Sequence, residues 1–145
     1  MRKTSEEGVA LIKRHEGCRL TAYRCPAGVP TIGYGHTGKD VRMGMTISQA
    51  QAGELLRKDL EVFERGVENV APATLTQHQF DALVSFAFNL GTNALRTSTL
   101  LRKVKQNASD PTIRGEFGKW VNARGKRLPG LVARRKDEAD LYFKP

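Results

Sequence analysis

Three features of the sequence predict an α+β fold. Residues 18–35 lose helical periodicity and collect strand formers and turn formers. On both sides of that stretch apolar residues recur near 3.6-residue spacing. Three of the six helical segments open on a Thr with Glu or Gln three residues on, the spacing of a capping box. Strands are few and helices many, so the expectation is a mostly helical domain carrying one small antiparallel sheet.

Taken in order, Thr4 and Glu7 have capping-box spacing and precede Val9, Leu11 and Ile12, which predicts a first helix over about residues 5–16. Gly17 suits the residue that ends it. Glu16 would then sit in the last turn, where the helix dipole disfavours negative charge. Beyond it, Leu20, Tyr23, Val29, Thr31, Ile32 and Tyr34 favour strand, while Pro26-Ala27-Gly28 and Pro30 mark turns. Two or three short strands follow from this, and residues 37–45 read as a loop. Thr46 and Gln49 form a second capping box opening a long amphipathic helix to about residue 68, with Leu55, Leu56, Leu60, Phe63 and Val67 on its apolar side. Pro72 interrupts it, and Thr76 with Gln79 caps a third helix that is apolar nearly all round, which places it in the middle of the core. Gly91 ends that helix, and residues 98–106, 112–121 and 130–143 supply three more.

A chain of 145 residues fits a single domain, 1–145, with one core and one cleft. Its longest apolar runs fall far short of the roughly 18–20 residues that cross a bilayer, and no apolar segment follows the N-terminal charges. The expectation is a protein made in the cytoplasm and not inserted in a membrane. Twenty-four Lys and Arg against fifteen Asp and Glu give a formal +9, which draws the protein to polyanions. Cys18 and Cys25 are too few for a disulfide scaffold, and no His or Cys set has zinc spacing, so no metal is expected.

One constellation carries chemistry. Glu16, eight residues, Cys25, five residues and Thr31 recur as an acid, a thiol and a hydroxyl at fixed spacing, followed by Gly33-Tyr34-Gly35-His36. This pattern resembles the phage-type lysozymes, the endolysins that cut bacterial peptidoglycan, whose signature is Glu, eight residues, Asp or less often Cys, five residues, Thr. The likeness to the lambdoid branch continues through His36-Thr37-Gly38-Lys39, residues 81–91, residues 96–103 and residues 130–138. It implies a two-lobed lysozyme-like arrangement, with a small N-terminal lobe of helix and sheet over about 1–47, a helical lobe over 48–145, a long connecting helix and a sugar cleft between. It also implies hydrolysis of the β-1,4 bond between N-acetylmuramic acid and N-acetylglucosamine without cofactor. A monomer that waits in the host cytoplasm for a holin to permeabilise the membrane, then reaches the wall, completes the expectation. Some lambdoid relatives carry an N-terminal apolar export helix that this sequence lacks.

Within that resemblance Glu16 is the candidate general acid, since glycoside hydrolysis needs a proton held beside the leaving oxygen. Cys25, between Arg24 and Pro26, is expected in an exposed turn with Arg24 favouring the thiolate. It would serve as base, electrostatic partner or nucleophile, and a bridge to Cys18 is a further alternative. Thr31 would hold the attacking water. His36 is expected to hydrogen-bond the sheet to the helical lobe. Phe88 and Thr37 fall at positions that line the sugar cleft in the family, although Phe88 also reads simply as core. Arg134, Arg135 and Lys136, balanced by Asp137, Glu138 and Asp140 at helical spacing, read as a solvated face; the resemblance also implies an Arg of the C-terminal region approaching the catalytic Glu, but assigns it to no position here.

Two other functions fit parts of the sequence. Residues 77–90, the turn Gly91-Thr92-Asn93 and residues 96–105 have the outline of a helix-turn-helix, with Arg96, Thr97, Ser98, Arg102 and Lys103 toward nucleic acid. That reading leaves residues 16–36 without a purpose and needs a surface module built on a helix that is too apolar. A wall-binding relative that lost catalysis through Cys25 is the second.

Overall fold

The computed structural model describes residues 2–145. α1 (Glu6–Glu16) leads into a three-stranded antiparallel sheet, β1 (Arg19–Arg24), β2 (Pro30–Gly33) and β3 (His36–Thr37), in the order β1-β2-β3. α2 (Gln49–Val70), α3 (Gln77–Leu90), α4 (Thr92–Arg96), α5 (Thr99–Gln106) and α6 (Ile113–Phe117) follow. A two-stranded hairpin of β4 (Asn122–Ala123) and β5 (Lys126–Arg127) then precedes the last helix, α7 (Pro129–Tyr142).

α2 is the beam of the molecule. Its 22 residues span roughly 33 Å at 1.5 Å per residue. Ala52, Leu56, Leu60 and Val67 are buried along one stripe, and the helix touches β2 and β3 near its start and α3 and α4 beyond. The segment before it lies along β1, with Ala22 N–H donating to Met45 O and Ile47 N–H to Leu20 O, both at 2.9 Å. α3 fills the centre: Phe80 through Ala87 are all buried, enclosed by α1, α2, α4 and α7. Each large apolar side chain there contributes about 1.5–3 kcal/mol of burial.

The helix starts expected from the sequence move in two places. α1 is capped by Ser5, whose Oγ accepts from Gly8 N–H at 3.3 Å, not by Thr4. Thr4 is taken by a distant partner, since its N–H and its hydroxyl both donate to Glu64 of α2 at 2.7 Å, and Glu7 turns to His78 at 2.9 Å. α2 opens on the Ser48–Gln51 capping box rather than on Thr46, which bridges Thr21 beside the sheet. Thr76 with Gln79 caps α3, Gly91 ends it and Ser98 caps α5, all as expected.

Four further departures follow from packing. α1, expected in the small lobe, packs on α3 and α7 through Val9, Leu11 and Ile12 and so belongs to the helical mass. The helix expected over 112–121 shrinks to α6, because residues 122–127 form the β4–β5 hairpin. The supposed turn after α3 is itself helical, as α4, with Leu95 buried. A helix-turn-helix is thereby lost: α3 has no free face, and a short helix stands where its turn should be.

Candidate active site

Glu16 owes its position to where α1 stops. Gly17 takes φ 71°, in the half of backbone space that costs glycine least, and its N–H closes the helix on Lys13 O at 3.1 Å. The Glu16 carboxylate then enters an open cleft of about 670 Å³, walled by Gly35 and Thr37 from the sheet side, Val62 and Phe63 from α2, and Phe88 from the end of α3. Phe63 and Phe88 meet edge to face with centroids 5.3 Å apart, an arrangement aromatic pairs favour. Gly35 has φ 85°, and a Cβ there would stand 3.6 Å from Glu16 Oε1.

The acid is held from the far end of the chain. Arg134 of α7 donates from Nη1 to Glu16 Oε2 at 2.6 Å, with the guanidinium side chain 5 % exposed and the carboxylate side chain 22 %. The solvated face expected around Arg134 and Arg135 is thus contradicted: Arg134, Arg135 and Glu138 are all buried, while Lys136 and Asp140 stay in solvent, paired at 2.9 Å. Charges alternating at helical spacing look the same in sequence whether they face water or one another. The signal that would have exposed them is Ser85. A hydroxyl in an otherwise apolar, fully packed helix needs a partner, and Ser85 Oγ donates to Glu138 at 2.6 Å.

Cys25 and Thr31 lie together in the adjoining β1–β2 hairpin. Gly28 N–H donates to Cys25 O at 2.7 Å and Cys25 N–H to Val29 O at 3.0 Å, which closes the Pro26-Ala27 turn. The backbone groups of Val29 and then Ala27 beside the sulfur hold the Cys25 thiol below its ordinary range. Arg24, expected to favour the thiolate, instead donates to Gly28 O at 3.1 Å across the turn. Cys25 is half-buried, Cys18 is exposed, and both are free thiols. Thr31 is buried in β2, opposite Thr37 in the strand register, so its side chain faces the side on which Thr37 walls the cleft. Its Oγ1 donates to Val29 O at 2.9 Å.

His36 ties β3 to α2. Its Nδ1 lies 2.8 Å from Asp59 and its Nε2 3.0 Å from Asp40. Burial opposes its charge, but the two carboxylates outweigh burial and hold its pKa above the ordinary imidazole value. The fold thus brings Glu16, Thr37 and Phe88 into one cleft, puts Cys25 beside Thr31 in a hairpin that does not line that cleft and joins it through the Thr31–Thr37 pairing, and keeps His36 as a strut between β3 and α2.

Comparison with known proteins follows the same landmarks. An endolysin of Acyrthosiphon pisum secondary endosymbiont phage 1 is 46 % identical over 143 residues, covering 95 % of this chain and 96 % of that one. An endolysin of Bacillus phage B103 is 45 % identical over 144 residues and 96 % of this chain, which spans 53 % of that longer protein. Among solved structures, the muramidase domain of SpmX from Asticaccaulis excentricus superposes with a TM-score of 0.90 at 38 % identity, covering 100 % of both chains. The model of the family described as phage lysozyme matches residues 13–138, a span running from the last turns of α1 to Glu138 on α7. Because that span takes in both partners of the ion pair that anchors Glu16, along with the hairpin and the cleft between them, the chain belongs to the phage lysozyme family.

Proposed function

We propose that this chain is a peptidoglycan-hydrolysing endolysin whose cleft cuts the β-1,4 bond between N-acetylmuramic acid and N-acetylglucosamine, with Glu16 as general acid. The observation that carries the reading is the placement of Glu16: a half-buried carboxylate lining an open cleft with aromatic and aliphatic walls, oriented by a buried guanidinium. A carboxyl group in such surroundings can give a proton to the glycosidic oxygen as the bond to the anomeric carbon lengthens. Phe63, Phe88 and Val62 offer apolar faces against which sugar rings stack, and Thr37 offers a hydroxyl to their edges.

Cys25 and Thr31 fit the water side of the reaction. The Thr31 proton is committed to Val29 O, so toward a water its hydroxyl can only accept. That leaves the lone pair of the water free to attack the anomeric carbon. A thiol held below its ordinary range by backbone amides is a charged group at neutral pH more often than a free cysteine, and it can take the second proton of that water. This assigns Cys25 the part of base and Thr31 that of water holder, and the outcome is inversion. For delivery, the family resemblance implies accumulation in the host cytoplasm until a holin admits the protein to the wall, and action as a monomer.

The deciding experiment is clearing of outer-membrane-permeabilised Gram-negative cells by wild type and Glu16→Gln, with the anomer of the released sugar followed by NMR. Loss of clearing on Glu16→Gln and a product of inverted configuration are expected. Full clearing by Glu16→Gln would remove the acid assignment, and a retained anomer would turn Cys25 from base into nucleophile.

A further inference from the structure

Behind Glu16 lies a polar cluster that the hydrolysis reaction does not by itself require. Glu138 of α7 is wholly buried. Its Oε2 accepts from Ser85 Oγ at 2.6 Å, from Arg134 Nε at 3.3 Å and from Arg135 Nη2 at 3.1 Å, while Arg135 Nε stands 2.8 Å from Oε1. Arg134 also donates to Ser85 O at 3.3 Å. Arg135 reaches Asn89 Oδ1 at 2.8 Å, and its guanidinium lies 5.3 Å from the centroid of the Phe86 ring. Asn89 lines the cleft. Two guanidiniums and two carboxylates from α1 and α7, tied together by Ser85 and Asn89 of α3, therefore form one unit, and Glu16 is the only one of the four charged groups that lines the cleft.

The charge balance of that unit has a consequence for the acid. With Glu16 ionised, the four groups sum to zero; with Glu16 protonated, the state a general acid needs, they sum to +1. Without the Glu138 charge the same two states would be +1 and +2, and the protonated acid would face two uncompensated buried cations. Coulomb interactions at these separations are weakly screened away from water. We infer that Glu138 is a positioning residue for the reaction: it fixes the guanidinium of Arg134 through Nε and Ser85, and it balances the charge of that guanidinium so that Glu16 can hold its proton. The other charged groups that face Glu16 are Lys58 and Asp59 from α2, which line the same cleft. Asp59 is itself paired with His36, so these groups are common to the wild type and the variants below.

The inference rests on Glu16 as the acid, and Glu16→Gln is the control that separates the two. The test is the pH dependence of kcat/KM on purified, permeabilised cell walls for wild type, Glu138→Gln and Ser85→Ala, each corrected for its folded fraction by circular dichroism. Glu138→Gln keeps the shape and removes the charge. Its alkaline limb should move to lower pH by about one unit, with ~tenfold less activity above the limb, recovered as pH falls. The loss should appear in kcat with KM little changed, because the cleft walls are untouched. Ser85→Ala removes only the hydroxyl, keeps the helix and should move the limb the same way by a smaller step. It decides the matter if Glu138→Gln does not fold, since breaking a buried pair is costly. A limb that superposes on that of wild type, in Glu138→Gln if it folds and otherwise in Ser85→Ala, would overturn the positioning role and leave Glu138 a structural residue. Activity in Glu16→Gln would instead remove the acid assignment itself.

Discussion

The two sides of the cleft are held in place by opposite means. Glu16 is fixed by Arg134, a residue 118 positions away, through a buried ion pair that depends on α3 and α7 being docked. Cys25 is fixed by its own turn, by Gly28 and Val29 within four residues of it. One side is tertiary, anchored on a buried guanidinium; the other is local. A residue held by long-range packing can be tuned by its surroundings but fails when the packing fails. A residue held by a hairpin keeps its geometry through larger disturbances and is open to reagents.

That contrast predicts a series of effects, largest first. Glu16→Gln should lower wall hydrolysis by about 10²–10⁴-fold, the usual contribution of a positioned acid, with a smaller fall in melting temperature than Arg134→Met, because Glu16 is partly exposed and Gln keeps a hydrogen-bond acceptor for Arg134. Arg134→Met should reduce both rate and stability, since it strips Glu16 of its partner and takes from Glu138 one of its two cations. Breaking one side of a buried pair costs about 3 kcal/mol, a fall of roughly 10 °C in the thermal midpoint of a domain this size. An Arg134→Met protein with wild-type melting would refute the tertiary half of the contrast.

On the local side, Cys25→Ala should lose activity by ~10–100-fold without loss of melting temperature, because a base assists the water but the turn survives. Cys25→Asp should keep a substantial part of the activity and extend it to lower pH, since a carboxylate stays charged where a thiol has taken up its proton. A thiol-alkylating reagent, applied in a Cys18→Ser background, should inhibit the parent and spare Cys25→Asp. Equal activity of Cys25→Ala and wild type would make the residue a packing element.

The smallest effect belongs to His36, the strut between the two sides. Its pKa in the folded protein lies above the unfolded value, so its bridging to Asp59 and Asp40 stabilises fully below about pH 6.5 and is lost as pH rises through the folded value. His36→Gln should therefore destabilise at pH 5.5 by up to about 1 kcal/mol and by less at pH 8.5, as read from urea unfolding at the two pH values. A difference of the opposite sign would mean that the imidazole works uncharged.

The same division explains what was legible in the sequence. The Pro26-Ala27-Gly28 turn, the strands around it and the caps of α3 and α5 are written in neighbouring residues, and they could be read there. The Thr4 and Thr46 caps were misplaced because each of those residues has a partner that no local rule sees, Glu64 for one and Thr21 for the other. Arg134 is the largest omission, and its cause is similar: along α7 its charge is balanced at i+4 by Glu138, so nothing nearby announces that both are buried. The polar residues of α3 carried the missing information. Asp81, inside the same apolar helix, accepts from Ser5 N–H at 3.0 Å and caps the approach to α1, as Ser85 serves α7.

The position of Arg134 in the order of synthesis has its own consequence. A ribosome delivers Glu16, the Cys25 turn and the sheet long before it delivers α7, at about 5–20 residues per second. A nascent chain that has already folded its hairpin thus carries the Cys25 thiol and the Thr31 hydroxyl, yet has a Glu16 carboxylate with no guanidinium to aim it. The proposed catalytic centre is complete only with the docking of the last helix, so on that reading fragments cut or stalled before α7 are inactive in the cell that makes them.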